Sequence, residues 1–335
     1  MKAIVYTAPK TLEVLDVKKP EPQEGQVLVK VKTAGICGGD LGIYKGLHPR
    51  AKAPLVLGHE FCGIVETDGK KFKKGDKVTV NPIISCGNCT PCKTGNAHVC
   101  NTLRLIGIDK DGAMAEYVAA DEDKLYLVPS SVPFELGALI EPVAVAVHTL
   151  RETGYNPGDN AIVYGCGAIG LSVAMTLKEF GCTNLTLIEA DDSRTKQATE
   201  FGFDVRDAKT LDLEALKAEK TGGNGFDFVY DCAGVEVVAS QLIKASKVRG
   251  KIVIVAGYKV PTTFPLNEGM FKEVSFEFVR VYRDKDYEIA VDLVANQPDY
   301  GKLVTHILPV EQAQEGFDLV LHPGSGAIKV LFNFE

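Results

Sequence analysis

The stretch "NAIVYGCGAIGLSVAMTLKEFG", residues 160–181, constrains the fold most. An apolar run short enough for a buried strand meets Gly165-x-Gly167-x-x-Gly170, and helical apolar spacing follows at once. The pattern continues. "NLTLIEA" reads as a second strand and "SRTKQATEFG" as a second helix. "FDFVYDCAG", "VEVVASQLIKASKVRG", "KIVIVAGY" and "VSFEFVRV" keep strand and helix alternating. Such a rhythm predicts an α/β doubly wound parallel sheet with helices on both faces. In that context the glycines have distinct tasks. Gly165 permits a tight turn, Gly167 lets a pyrophosphate approach the backbone, and Gly170 lets helix and strand pack closely. The helix start at Ala168 and Ile169 offers free N–H groups to phosphate. Glu189 ends the second strand nineteen residues after Gly170. Its carboxylate suits the two hydroxyls of an adenosine ribose and repels a 2′-phosphate, which favours NAD over NADP. Arg194, five residues on, is the side chain that would help accommodate a phosphate.

The first 130 residues have another texture. "KAIVYT", "LEVLDV", "QVLVKVK", "FCGIVET" and "DKVTVNP" are short runs, rich in β-branched residues, between turn signals. They predict a compact, barrel-like β domain. From Pro133, "PFELGALIEPVAVAVHTLRETG" turns helical, with a break expected at Pro142. After about residue 284 come a helix, "DYEIAVDLVANQ", and the strands "KLVTHILPV" and "AIKVLFNF", which could return to the first domain. A chain of 335 residues is long enough for two cores. The expected division is 1–145 with 285–335, and 146–284. Net charge is −7 with no basic stripe, so nucleic acid is not an expected partner. The N-terminus lacks a signal-peptide core, and no run of about eighteen apolar residues offers a membrane span. The expected compartment is the cytoplasm.

"CGNCTPCKTGNAHVC" packs Cys86, Cys89, Cys92 and Cys100 into fifteen residues. A reducing compartment disfavours structural disulfides, and nine cysteines cannot all pair within one chain. A redox site normally uses one Cys-x-x-Cys rather than a tandem. Four thiolates enclose a tetrahedral zinc and tie down an irregular lobe over about 85–101. A site closed by four cysteines leaves no position for substrate. Elsewhere, Cys37, the adjacent His59 and Glu60, and Glu141 are residue types that hold a catalytic zinc with an open position. Taken singly, each also reads as an ordinary core, turn or capping residue.

In their order, "AGICGGD", "GHEFCG", the cysteine lobe, "ALIEPVAVAVH", "GCGAIG" and "LVTHILP" resemble the zinc-dependent medium-chain alcohol dehydrogenases over essentially the whole chain. The nearest likeness is to the branch of sorbitol, threonine, butanediol and sugar-acid dehydrogenases. The resemblance implies a GroES-like catalytic domain built from both chain ends around a Rossmann domain, with substrate in the cleft between them. It implies two zinc ions per chain. Cys37 and His59 would bind the catalytic one, with Glu60 and Glu141 as the carboxylates at or just outside it. The four lobe cysteines would bind the structural one. NAD would take hydride from a secondary alcohol of a polyol, sugar alcohol or sugar acid. L-threonine or butanediol is the alternative substrate, and a catalytically inactive NADH-binding sensor is the alternative of another class. A homodimer or homotetramer is expected.

The chain departs from the family at two positions. Gly39 stands where a Ser or Thr normally passes the alcohol's proton outward, and Gly42 where a histidine often lies. A water chain, Glu60 or Glu141, or a side chain such as Tyr44 or His48 would have to replace that relay. Tyr44 and Arg280 are the candidate substrate contacts. Arg50 and Lys52 could meet an anionic group or simply line a solvated loop.

Overall fold

The computed structural model describes residues 1–334. The chain divides into two compact units, Met1–Ala144 with the segment from Arg283 onward, and Val145–Tyr282. In the first unit the strand Gln26–Gly35 organises a seven-stranded sheet. Its valines at 27, 29 and 31 are fully buried, as alternation along a strand requires. Its first half pairs with Tyr117–Asp121 and most of its length with Glu60–Val65. Its last residues pair with Lys329–Asn333, which in turn pairs in parallel with Val304–Pro309. The end of the chain is thus stitched into the sheet begun by residue 26.

The second unit is a six-stranded parallel sheet. Its order is Asp204–Asp207, Leu185–Glu189, Ala161–Tyr164, Phe226–Asp231, Ser246–Ile254, Ser275–Phe278. The first strand in sequence lies at the centre and the chain winds outward to each side, the doubly wound arrangement. Ile162, Val229, Ile252 and Leu242 are fully buried in its core.

Three local expectations change. Pro142 does not break a helix. The break falls after the short helix Phe134–Gly137, and Pro142 sits in the first turn of Ile140–Thr153. There its missing N–H is one the helix does not use, so proline is tolerated. The helix read through 235–250 covers only Glu236–Ala245. Ser246 is extended and pairs with Phe226, so "SKVRG" opens the next strand. Between residues 203 and 222 the sequence reading named nothing, yet Asp204–Asp207 forms an edge strand and Leu213–Thr221 a helix capped by the Asp212 carboxylate. Among the described residues no helix is long and apolar enough to cross a membrane.

Candidate active site and metal centres

The cysteine lobe is built from very short pieces. Cys89 precedes the four-residue helix Thr90–Lys93, with Pro91 in its first turn, and Cys100 closes the 3-10 turn Ala97–Val99. These turns direct four sulfurs to one point. Cys89 Sγ lies 3.4 Å from Cys92 Sγ and 3.7 Å from Cys100 Sγ, and Cys86 Sγ lies 4.0 Å from Cys92 Sγ. A disulfide needs about 2.05 Å. Four sulfurs about 2.3 Å from zinc stand about 3.8 Å apart at the corners of a tetrahedron. The observed separations match the second geometry, and none of the nine cysteines is in a disulfide. Backbone amides of Asn88 and Cys89 donate to Cys86 Sγ, which lowers that thiol to about 6. Amides of Cys86 and Thr102 donate to Cys100 Sγ, and its pKa is lowered too. The donor set fits zinc.

A second cluster forms where two sheet strands end. Cys37 caps the helix Gly38–Tyr44 and follows the strand Gln26–Gly35 by two residues, while Glu60 opens the strand Glu60–Val65 and His59 immediately precedes it. Gly35 and Glu60 are partners in that register, so pairing alone brings Cys37 to His59 and Glu60. One ligand atom from each of the three lies within 4.8 Å of the others. Glu141, buried in the first turn of Ile140–Thr153, is not in that group, although its charge acts on both His59 and Lys329.

Burial and mutual charge act together on the titratable groups of this cluster. Burial raises the Cys37 thiol and the Asp40 carboxyl above their usual ranges. Burial works against charge on His59 as well, but Cys37 and Asp40 together raise it well above the usual imidazole value. Sulfur, imidazole and carboxylate are all zinc donors, and three protein donors are the number that keeps a position open. One further observation fits a metal. His59 Nδ1 and Asp40 Oδ1 are buried without a hydrogen-bond partner and face each other at 3.8 Å. Metal-bound histidines are commonly oriented by such a carboxylate on the nitrogen that does not ligate.

Two residues of this site escaped the sequence reading. Asp40 had a visible signal, because it stands three residues after Cys37, and its Oδ2 accepts from the Cys37 amide at 2.9 Å in a capping box. Lys329 had none. Its ammonium is buried and donates to Glu60 Oε2 at 2.5 Å and to the Ile36 carbonyl at 3.1 Å. Burial opposes its charge, and Glu60 then Cys37 raise it above the usual lysine range. Removing one partner of a buried pair of this kind typically costs about 3–5 kcal/mol.

The other candidates scatter. Tyr44 is buried, its hydroxyl accepts from Gln314 at 2.8 Å and its ring packs on Phe317 at 5.4 Å. Arg280 is exposed and lies in the second unit. Arg50 is a strut, donating to the Leu103 carbonyl and pairing with Asp109, while Lys52 is exposed. His48 Nδ1 accepts from the amides of Arg50 and Ala51. A Cβ at Gly42 would meet nothing within 4 Å, and one at Gly39 only Cys37 Sγ at 3.8 Å.

In the second unit Gly165 takes a left-handed φ of +98°, and a Cβ on Gly170 would stand 1.8 Å from the Gly165 carbonyl oxygen. No other residue fits Gly170. Gly167 caps the helix Ala168–Glu179, and Arg194 Nη1 lies 3.7 Å from where its Cβ would be. Glu189 is more engaged than the sequence suggests. Oε2 accepts from the Cys166 amide at 2.6 Å, and Oε1 from the amides of Ala190 and Asp191 at 2.7 and 2.9 Å. A carboxylate has about four acceptor sites. One further hydroxyl therefore fits without loss of an amide, and a second must compete with one.

Comparison with known proteins agrees with both units. Residues 23–130 match the family model "Alcohol dehydrogenase GroES-like domain" and residues 168–296 match "Zinc-binding dehydrogenase". The chain is 35% identical to sorbitol dehydrogenase of Halalkalibacterium halodurans over 99% of its own length and 98% of that protein's. It is 33% identical to 2-dehydro-3-deoxy-L-galactonate 5-dehydrogenase of Pseudoalteromonas atlantica, over 95% and 94%. The alcohol dehydrogenase rspB of E. coli CFT073, solved with the cofactor NADH, superposes with a TM-score of 0.92 at 28% identity, covering 100% of this chain and 99% of that one. The chain belongs to the zinc-dependent medium-chain alcohol dehydrogenase family.

Proposed function

We propose that the chain oxidises a secondary alcohol of a polyol, sugar alcohol or sugar acid with NAD, at a zinc held by Cys37, His59 and Glu60. The observation that carries this reading is the convergence of those three donors within 4.8 Å. The likeness to proteins named for sorbitol and for a deoxy-sugar acid supports the substrate class. Zinc supplies Lewis-acid polarisation of a hydroxyl oxygen, and nicotinamide is the hydride acceptor. The chain's own residues do the rest. Asp40 orients His59 through Nδ1. Glu141 adds negative charge beside the cluster. Gly165, Gly167 and Gly170, with the amides of Ala168 and Ile169, take the pyrophosphate of NAD, and Arg194 stands beside that turn. Glu189 takes a ribose hydroxyl and repels a 2′-phosphate. The zinc-loaded protein offered alditols, aldonates and their phosphates should reduce NAD with at least one of them, and NADP about tenfold less efficiently or worse. NADH binding with no turnover on any would instead support a sensor.

The proton leaves through water in the room beside Gly39 and Gly42, assisted by a carboxylate. His48 is poorly suited to that task, because its Nδ1 is already engaged by two amides and burial, then Arg50, lower its pKa. Gly39→Ser, whose Cβ fits at ordinary contact distance, should therefore retain kcat within about fivefold, where an essential acid–base group is worth about a hundredfold or more. Loss of turnover in Gly39→Ser with the fold intact would refute the water route.

A homodimer or homotetramer is also proposed. Ser275–Phe278 is an open sheet edge, and Phe278, Phe271, Met270 and Leu266 around it are all more than 60% exposed, an apolar edge of the kind a second copy covers.

A further inference from the structure

The Asp231 carboxylate is fully buried at the end of the strand Phe226–Asp231, where it ties two loops together. Its Oδ1 accepts from the amides of Ala233 and Gly234 at 3.0 and 2.9 Å, which folds the loop after its own strand. Its Oδ2 accepts from the Tyr258 hydroxyl at 2.5 Å, and Tyr258 belongs to the loop after the neighbouring strand Ser246–Ile254. An O–H donor to a carboxylate at about 2.5–2.7 Å is a charge-assisted bond, one of the stronger kind. The Asp231 carbonyl also accepts from the amides of Val255 and Ala256. The two loops are in close contact. Gly234 has a left-handed φ of +65°, and a Cβ there would stand 2.9 Å from Ala256 Cβ. The Tyr258 ring packs edge-on against Phe264 at 5.8 Å.

The same loops border the glycine turn. A Cβ at Gly165 would lie 3.2 Å from the Ala233 amide nitrogen, and one at Gly170 3.4 Å from Cys232 Cβ. In the sheet, Ala161–Tyr164 stands between Leu185–Glu189 and Phe226–Asp231, with Ser246–Ile254 beyond the latter. A dinucleotide lies across the carboxyl ends of such strands, where the strand order reverses. With the pyrophosphate on the glycine turn, the adenosine half runs toward Glu189. The nicotinamide half then runs the opposite way, over the loops that Asp231 joins.

We infer that Asp231 and Tyr258 are positioning residues for the nicotinamide half of the coenzyme, their hydrogen bond holding the two loops as a preformed floor. The carboxylate itself is buried, so it acts through the loops. What these present to solvent is the exposed backbone of Ala233 and Gly257. An unlatched loop samples other arrangements, and apparent affinity falls by the fraction of molecules in which the floor is formed. The adenosine half, held by the glycine turn and Glu189, does not depend on the latch. The inference rests on the assignment of the glycine turn to NAD.

The test is calorimetric titration of the zinc-loaded protein with NADH and, separately, with ADP, which keeps the adenosine and both phosphates and lacks the rest. Tyr258→Phe removes one oxygen and keeps a ring to pack on Phe264. It should weaken NADH about tenfold or more and ADP less than about twofold, since a tenfold loss corresponds to a floor formed in one molecule in ten. A merely structural pair predicts that both ligands weaken together, or that neither does and only the melting temperature falls. A loss of NADH affinity below about threefold, or one matched by ADP, overturns the inference. Should Tyr258→Phe not fold, Asp231→Asn serves. Its amide keeps an oxygen for the loop amides and sets an N–H against the tyrosine hydroxyl. The same split between NADH and ADP is expected, and its absence overturns the inference equally. Wild-type protein that binds no NADH would fail the coenzyme assignment itself, and the inference would fall with it.

Discussion

His59→Ala is expected to lower kcat by about a thousandfold or more while NADH still binds. His59 is the imidazole of the three-donor cluster, it is buried, and alanine offers no ligand atom in its place. Lewis-acid polarisation is worth several kcal/mol in the transition state, and each 1.36 kcal/mol is a factor of ten in rate. A loss of about 4 kcal/mol thus corresponds to about a thousandfold. The coenzyme turn, Gly165 to Gly170, belongs to the other unit and is built by its own strand and helix, so its affinity should change little. Steady-state kinetics on the best substrate and NADH titration by calorimetry read the two effects separately. Unchanged kcat would end the catalytic-zinc reading. Joint loss of turnover and NADH binding would point to misfolding instead, which a thermal melt would reveal.

Cys89→Ser should act on stability rather than on chemistry. Cys89 Sγ is 3.4 and 3.7 Å from two of its three companions, and serine supplies no thiolate at that point. The lobe has a four-residue helix and a single 3-10 turn, too short to persist alone in water. Structural zinc binds with about 10–16 kcal/mol of apparent free energy, and where no preformed site exists that energy is folding energy. Losing even about 3–4 kcal/mol of it should lower the unfolding midpoint by about 5 °C in a chain of this size. Calorimetric melts of the two proteins measure this directly. Molecules that remain folded should keep a kcat near wild type, since the lobe sulfurs are not among the donors of the other cluster. A stable Cys89→Ser protein with its zinc retained would contradict the structural role.

The contrast between the two clusters explains what could be read from sequence. The lobe cysteines are close in the chain, and their spacing alone implies a tetrahedral site. Cys37, His59 and Glu60 are joined by strand register, which no local pattern reveals, so only the family resemblance grouped them beforehand. Lys329 pairs with a residue 269 positions away, across an intervening strand, and looks like any lysine in "AIKVLFNF". The glycine turn was legible because strand, spacing and helix lie in one continuous stretch. Asp204–Asp207 was not. It is an edge strand of four half-buried residues, three of them charged, and it carries none of the alternation by which strands are recognised. Glu189 was legible by position only. That three amides engage its carboxylate depends on how the turn folds back upon it.

Zinc counting in three purified proteins tests the central claim most directly, because it needs neither substrate nor coenzyme. The two donor clusters predict two zinc ions per chain in the wild type. His59→Ala should keep one, held by the lobe. Cys89→Ser, in whatever fraction folds, should keep the other. Mass spectrometry of the metal against protein concentration gives these ratios. A wild-type ratio of one or less after zinc loading, or two ions still bound in His59→Ala, would contradict the account.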